Sequence, residues 1–204
     1  EEGLDCATKI RDAIKEVVPI DPSQTGAFGG DLLRDDMLSN FGGNKDTNDC
    51  ITRRILLLLE GEWLTSQTRF EKFRSSIIER YVDTTPNDHQ LALFLLNDVI
   101  RYWRTMTVDY AYKTDESGKP WAIRNVKLMF SRKLMYAGGL FSIATTANLG
   151  RDAKVRRLVD HFSCPVMERL EMICGVEQCS RVRQSYNIFL EAMDNQQSRA
   201  LLND

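Results

Sequence analysis

No stretch of this sequence is both long and apolar enough to span a bilayer. The longest uncharged run, Leu134 to Gly150, carries Gly, Ser, Thr and Asn and falls short of the roughly 20 apolar residues that a spanning helix needs. It predicts a buried helix end followed by a loop, and no membrane partner. Charge of one sign is lacking as well: 27 Lys and Arg stand against 29 Asp and Glu, a net charge of -2 with a pI near 5.8. The field of the whole molecule therefore gives no reason for non-specific attraction to nucleic acid or to an acidic surface, and any anion site must be local. The chain opens on Glu1 without a basic stretch leading into an apolar one, so no secretory signal is expected. Its 5 cysteines, an odd number without a disulfide-type rhythm, predict reduced thiols in a cytoplasmic protein.

Also missing are the period-two alternation of a half-buried strand, any internal repeat and any low-complexity tract. What is there is helical periodicity. A first helix fits 5–18 and is stopped by Pro19 and Pro22, which remove donors and force the chain out of the helical region. Residues 19–46, with two Gly-Gly pairs, predict an ordered loop or short helices. Thr47 or Asp46 can cap a helix through "CITRRILLLLE", whose run Leu56 to Leu59 predicts enclosure on most sides. Further helices are expected from Ser66 to Val82, from Pro86 to Tyr112, and from Trp121 to about Ala137. The last of these should stop near Gly138-Gly139, because glycine weakens a helix by about 1 kcal/mol relative to alanine. A polar hairpin, "KTDESGKP", separates the last two, and shorter helices follow at 151–162, 165–174 and 181–203. The expected fold is an all-α multi-helix bundle. It forms one domain over 1–204, with an N-terminal helix and Gly-rich loop at 1–46, core helices at 47–140 and C-terminal helices at 141–204.

Along 96–110 the apolar face Leu96, Val99, Ile100, Trp103, Met106 and Tyr110 is flanked by Arg101 and Arg104, and a guanidinium is costly to bury without a partner. The next helix places Arg124, Lys127 and Ser131 on one side with Arg132 and Lys133 nearby. If those sides face each other, several cations converge on one groove, and the planar fork of arginine suits phosphate. The competing reading is that Asp98, Asp109 and Glu60 pair with the arginines internally, as helix spacing readily permits. "FGGNKDTND" ahead of Arg53 and Arg54 offers a Gly-rich helix start to an anion, but its spacing is not that of a Walker loop. Asp46 and Asp49 would repel an anion there, so the loop more simply caps and packs the helix, and a metal held by this aspartate pair is the other option. His161, Cys164, Cys174 and Cys179 have the residue types of a zinc site without its short Cys-x-x-Cys knuckles, so thiols packed as small hydrophobes are expected. In "RRLVDH", Arg156 and His161 bracket four residues, a spacing similar to the Arg-to-His signature of HEPN ribonucleases, in which histidine moves a proton while arginine steadies the phosphate. A helical protein-interaction module is the third option.

Taken in order, "TGAFGG", "FGGNKDTNDCITRRILLLLEGEWL", "FLLNDVIRYWRTMTVDY" and "KPWAIRNVKLMFSRKL" resemble the helical part of a bacterial family of nucleotidyltransferase-like proteins. The resemblance implies an N-terminal catalytic core in which Gly-Ser or Gly-Gly precedes an Asp-x-Asp pair on a strand, with magnesium held by those carboxylates. In this chain Gly29-Gly30 is followed by Asp35-Asp36, too early and without an intervening strand. Magnesium is therefore implied only if such a core precedes residue 1, and no catalytic residue is assigned apart from the Arg156 and His161 alternative. The expectation that follows is recognition: Arg53, Arg54, Arg101, Arg104, Arg124 and Lys127 bind a nucleotide or RNA phosphate, alone, as a homodimer or beside a partner protein.

Overall fold

A computed structural model describes residues 2–18, 32–83, 90–116, 118 and 120–203 of the chain. Among the described residues there is no strand, and the expected all-α bundle is what is found. The helices are α1 (Glu2–Val17), α2 (Arg34–Ser39), α3 (Asn48–Glu60), α4 (Gln67–Asp83), α5 (Leu93–Ala111), α6 (Trp121–Lys127), α7 (Lys133–Ala144), α8 (Arg151–Phe162), α9 (Val166–Cys174), α10 (Val176–Asp194) and α11 (Gln196–Leu201). Two turns of π-helix interrupt them, Tyr112–Glu116 after α5 and Leu128–Arg132 between α6 and α7. None of the described helices is long and apolar enough to cross a membrane.

α3 packs on α5, α5 on α7 and α4 on α8. Their shared core contains Ile55, Leu58, Ile77, Ile78, Leu95, Val99, Ile143 and Leu158, each at 1% exposure or less. Side chains buried to this extent contribute about 1.5–3 kcal/mol each. Met167, Leu170 and Cys179 form a smaller cluster between α9 and α10.

The start of α3 follows expectation, with the Thr47 hydroxyl accepting from the Cys50 amide at 3.3 Å. Other boundaries do not. Pro86 lies outside the described residues, and Gln90, Leu91 and Ala92 are not helical. The ammonium of Lys154, itself 1% exposed, donates to the Gln90 carbonyl, which gives that backbone a partner outside a helix. The expected polar hairpin begins instead as the π turn that prolongs α5. Gly138-Gly139 does not end a helix, since α7 runs through both to Ala144. The reason is packing: a Cβ at Gly139 would lie 2.8 Å from Leu59 Cδ2, and one at Gly138 would lie 3.2 Å from Val166 Cγ2. The glycines let α3 and α9 approach α7 more closely than any side chain would allow. The expected helix over 181–203 starts earlier, at Val176 after Gly175 with φ of 94°, and breaks at Asn195, which caps α11 through the Ser198 amide at 2.9 Å.

One buried cation ties the N-terminal part to the bundle. Arg54 is wholly buried. Its Nη2 donates to Asp46 at 2.6 and 2.8 Å, its Nη1 to the Asn40 carbonyl at 2.8 Å, and its Nε to the Tyr81 hydroxyl at 3.1 Å. Tyr81 in turn donates to Asp98 at 2.8 Å, and the Phe41 ring lies 4.2 Å from the guanidinium carbon. Burial raises the pKa of the Asp98 carboxyl, against the opposing pull of the Tyr81 hydrogen bond, Arg54 and Arg101. Two other buried arginines use helix ends: Arg74 donates to the Phe162 carbonyl at 3.0 Å, and Arg169 to the carbonyls of His161 at 2.9 Å and Leu59 at 3.0 Å. These are last-turn carbonyls of α8 and α3, where the helix dipole favours a cation. Burial still pushes Arg169 down to about 10.

Two stability measurements follow. Gly139→Ala should lower the free energy of urea unfolding by about 1–2 kcal/mol, since overpacking at 2.8 Å outweighs the gain in helix propensity, and Gly138→Ala should cost less. Arg54→Met should cost about 3–5 kcal/mol at neutral pH, because it strands buried carboxylates without their counter-charge. Loss of Arg54 lets the already raised Asp98 pKa climb further. A folded-state pKa above the unfolded one favours the native state at low pH and works against it as pH rises, so the deficit should shrink between pH 7.5 and pH 5 in parallel urea titrations.

Candidate anion-binding cavity

The leucine run of α3 cannot turn every side chain toward one core. Leu58 and Leu59 point inward, at 1% and 3% exposure, while Leu56 and Leu57 stand on the other side with Arg53 and Glu60, as a helical step of about 100° per residue dictates. That second side is one wall of a cavity of about 1000 Å³. α5 and the π turn after it supply Met106, Asp109, Tyr110 and Lys113, and α6 with the second π turn supplies Arg124, Lys127, Leu128 and Arg132. Met37, Phe70 and Ala7 add apolar surface from α2, α4 and α1. Both π turns therefore border the same space, and such widened turns occur often at functional sites.

Charge on this wall is unevenly matched. Glu60 pairs with Arg132 and accepts from the Tyr102 hydroxyl at 3.4 Å, Asp109 pairs with Lys113 at 2.6 Å, and Glu62 accepts from the amide of Trp63 at 3.0 Å. Arg124 keeps a buried Nε with no hydrogen-bond partner among the described residues. Lys127 sits among cations: burial first, then Arg199, Arg124 and Arg132, lower its pKa below the ordinary lysine value. Arg199 reaches this end because α11 is tied to α6 by the hydrogen bond from the Ile123 amide to the Leu202 carbonyl at 3.2 Å. The arrangement can hold an anion against Arg124 and Lys127 while apolar surface from α3, α5 and α4 takes a less polar body.

Of the residues expected to bind phosphate, the fold brings Arg53, Arg124 and Lys127 to this cavity. Arg54 is a correction: enclosed by Asp46, Tyr81 and Asn40 it offers nothing to a solvent-borne anion. Arg101 and Arg104 line a neighbouring recess of about 550 Å³ with Asn48, Thr105, Val108, Asp109 and Tyr112. The expected internal pairing holds for Asp98, with Arg101 at 3.7 Å, and for Glu60, with Arg132, whereas Asp109 pairs with Lys113 and not with an arginine. Arg199 carries no signal in the sequence, being 72 residues beyond Lys127, whereas half-exposed leucines in an unbroken run do hint at a second apolar surface.

The ribonuclease pair is also corrected. His161 is 3% exposed, with an Nδ1 that has no hydrogen-bond partner among the described residues and a pKa lowered by burial, Arg157 and Arg169. Arg156 faces solvent, so no common cleft presents the two. Asp46 is engaged by Arg54 and by the Gly42 amide at 2.8 Å, as fits a packing loop. Among the described residues no three His, Cys, Asp or Glu side chains converge as a metal site, the His161, Cys164, Cys174 and Cys179 set included. Of the three thiols expected to pack as small hydrophobes, Cys179 is buried, Cys164 is half-buried and Cys174 is exposed. No family model, curated protein or solved structure matches the chain.

Crowded cations should cost stability until something neutralises them. Lys127→Met is expected to raise the Tm at low ionic strength, with a difference from the parent that shrinks in 0.5 M salt, where the Debye length falls to a few ångströms. Thermal scans at the two salt concentrations check this.

Proposed function

We propose that the chain is a helical recognition region that binds a nucleotide through its phosphate in the cavity between α3, α5 and α6, in the manner of the substrate-recognition part of a nucleotidyltransferase-like protein. The observation that carries this reading is the pairing pattern: Glu60 and Asp109 are engaged by Arg132 and Lys113 and Glu62 by the Trp63 amide, while Arg124 and Lys127 have no carboxylate partner among the described residues. A phosphate placed there accepts from the guanidinium and the ammonium together and offsets the repulsion from Arg199, Arg124 and Arg132 that, after burial, lowers Lys127. Leu56, Leu57, Met106 and Phe70 offer a base and sugar an apolar bed, and Tyr110 adds an aromatic ring. The cavity volume of about 1000 Å³ stands at the upper end of the roughly 300–1,000 Å³ usual for small-molecule sites. The order of the four sequence segments supports the same reading. Recognition, rather than bond chemistry, is the role assigned to these residues.

Titration of a fluorescent adenine nucleotide tests the proposal. Losing one charge-assisted partner costs about 1.5–3 kcal/mol, so Arg124→Ala and Lys127→Ala should each weaken binding about ten- to a hundredfold. Lys45→Ala, at an exposed position that does not line the cavity, should leave it unchanged. Absence of binding at millimolar nucleotide, or equal affinity in all variants, would overturn the proposal.

A further inference from the structure

The second recess neighbours the first, sharing Asp109 as a lining residue. The Asp109–Lys113 ion pair at 2.6 Å stands between them. Beyond that pair the wall is again cationic. Arg104 is exposed and has no carboxylate or hydrogen-bond partner for its side chain among the described residues. Arg101, 40% exposed at its side chain, has the inner Asp98 at 3.7 Å as its one carboxylate partner among the described residues, and Asp98 already accepts from Tyr81 on its other oxygen. Asn48, the first residue of α3, donates to Thr105 at 3.3 Å, which brings the positive end of that helix dipole to the recess. Asp49 is the acidic residue of that turn and is exposed. Tyr112, 55% exposed, and Val108, 67% exposed, flank the arginines with apolar surface.

Resting on the nucleotide reading above, we infer that the two recesses form one track for a single-stranded oligonucleotide. One nucleotide unit lies in the large cavity, the strand crosses the Asp109–Lys113 pair, and the neighbouring phosphate is held by Arg101 and Arg104 with its base against Tyr112. The chemistry is that of single-strand recognition in general, a cationic groove that follows the backbone beside an aromatic face on which a base stacks. The adjoining space, about 550 Å³ added to about 1000 Å³, exceeds what a single small molecule ordinarily fills. With a whole-chain charge of -2, binding depends on these local contacts, not on a general field.

Fluorescence anisotropy on the full chain, with labelled hexaadenylate and hexauridylate beside a labelled mononucleotide, separates the possibilities. The hexanucleotides should bind at least tenfold more tightly than the mononucleotide. Arg104→Ala and Tyr112→Ala, both at exposed positions, should each remove at least fivefold of that gain and leave the mononucleotide Kd unmoved. For Arg104→Ala, the slope of log affinity against log salt should fall by about 0.7, the value for one phosphate contact on a single strand. A hexanucleotide that binds no better than the mononucleotide, or variants that weaken both ligands equally, would overturn the track and leave the mononucleotide reading intact. Binding of neither ligand would overturn both.

Discussion

A single guanidinium decides how the first part of the described chain sits on the rest. Arg54 reaches from α3 to the loop before it, to Tyr81 on α4 and, through Tyr81, to Asp98 on α5. Removing such a charge from water is expensive, and a buried pair gives little net stability against a well-packed apolar substitute. Its effect is geometric. With Arg54 anchored inward, the rotation of α3 is set, and Arg53, Leu56, Leu57 and Glu60 must face the cavity. The positive-φ turn at Gly42 and Gly43, with φ of 73° and 80°, lets the loop fold back so that Asp46 meets the guanidinium.

The cavity departs from that thrift. Inside the core every arginine finds either carboxylates or helix-end carbonyls, and Arg74 and Arg169 show how last-turn backbone can stand in for an acidic partner. On the cavity wall Arg124 and Lys127 have neither among the described residues, and Arg199 is brought up from 72 residues beyond Lys127 to add to the repulsion. An arrangement that lowers the affinity of a lysine for its proton is unfavourable on its own and becomes favourable when an anion arrives. The two π turns serve the same wall, since Lys113, Leu128 and Arg132 all project from them.

Close approach of helices gives the cavity its fixed sides. At Gly139 the α7 backbone leaves room for Leu59 and, beside it, Val99, and Leu59 occupies the inward side of the helix whose other side carries Leu56 and Leu57. The glycine pair thus belongs to a packing contact and not to a helix end, because dense packing across α3 and α7 offsets the roughly 1 kcal/mol that each glycine costs in propensity.

Much of the fold was legible from local chemistry. The helical class, the Thr47 cap, the span 151–162 and pairs within one helix such as Asp109–Lys113 each depend on residues within a few positions of one another. The site was legible only in part: Arg124 and Lys127 share a side at a three-residue step, but nothing local separates Arg53, which faces the cavity, from Arg54, which is sealed in the core. Likewise the sequence alone carries the Arg156 and His161 spacing, and it cannot tell that burial withdraws the histidine. Periodicity is a property of one helix and survives in one dimension. Which side of that helix meets a neighbour, which acid reaches which base, and which distant arginine joins the cluster are set by packing between elements, so only the tertiary structure decided them.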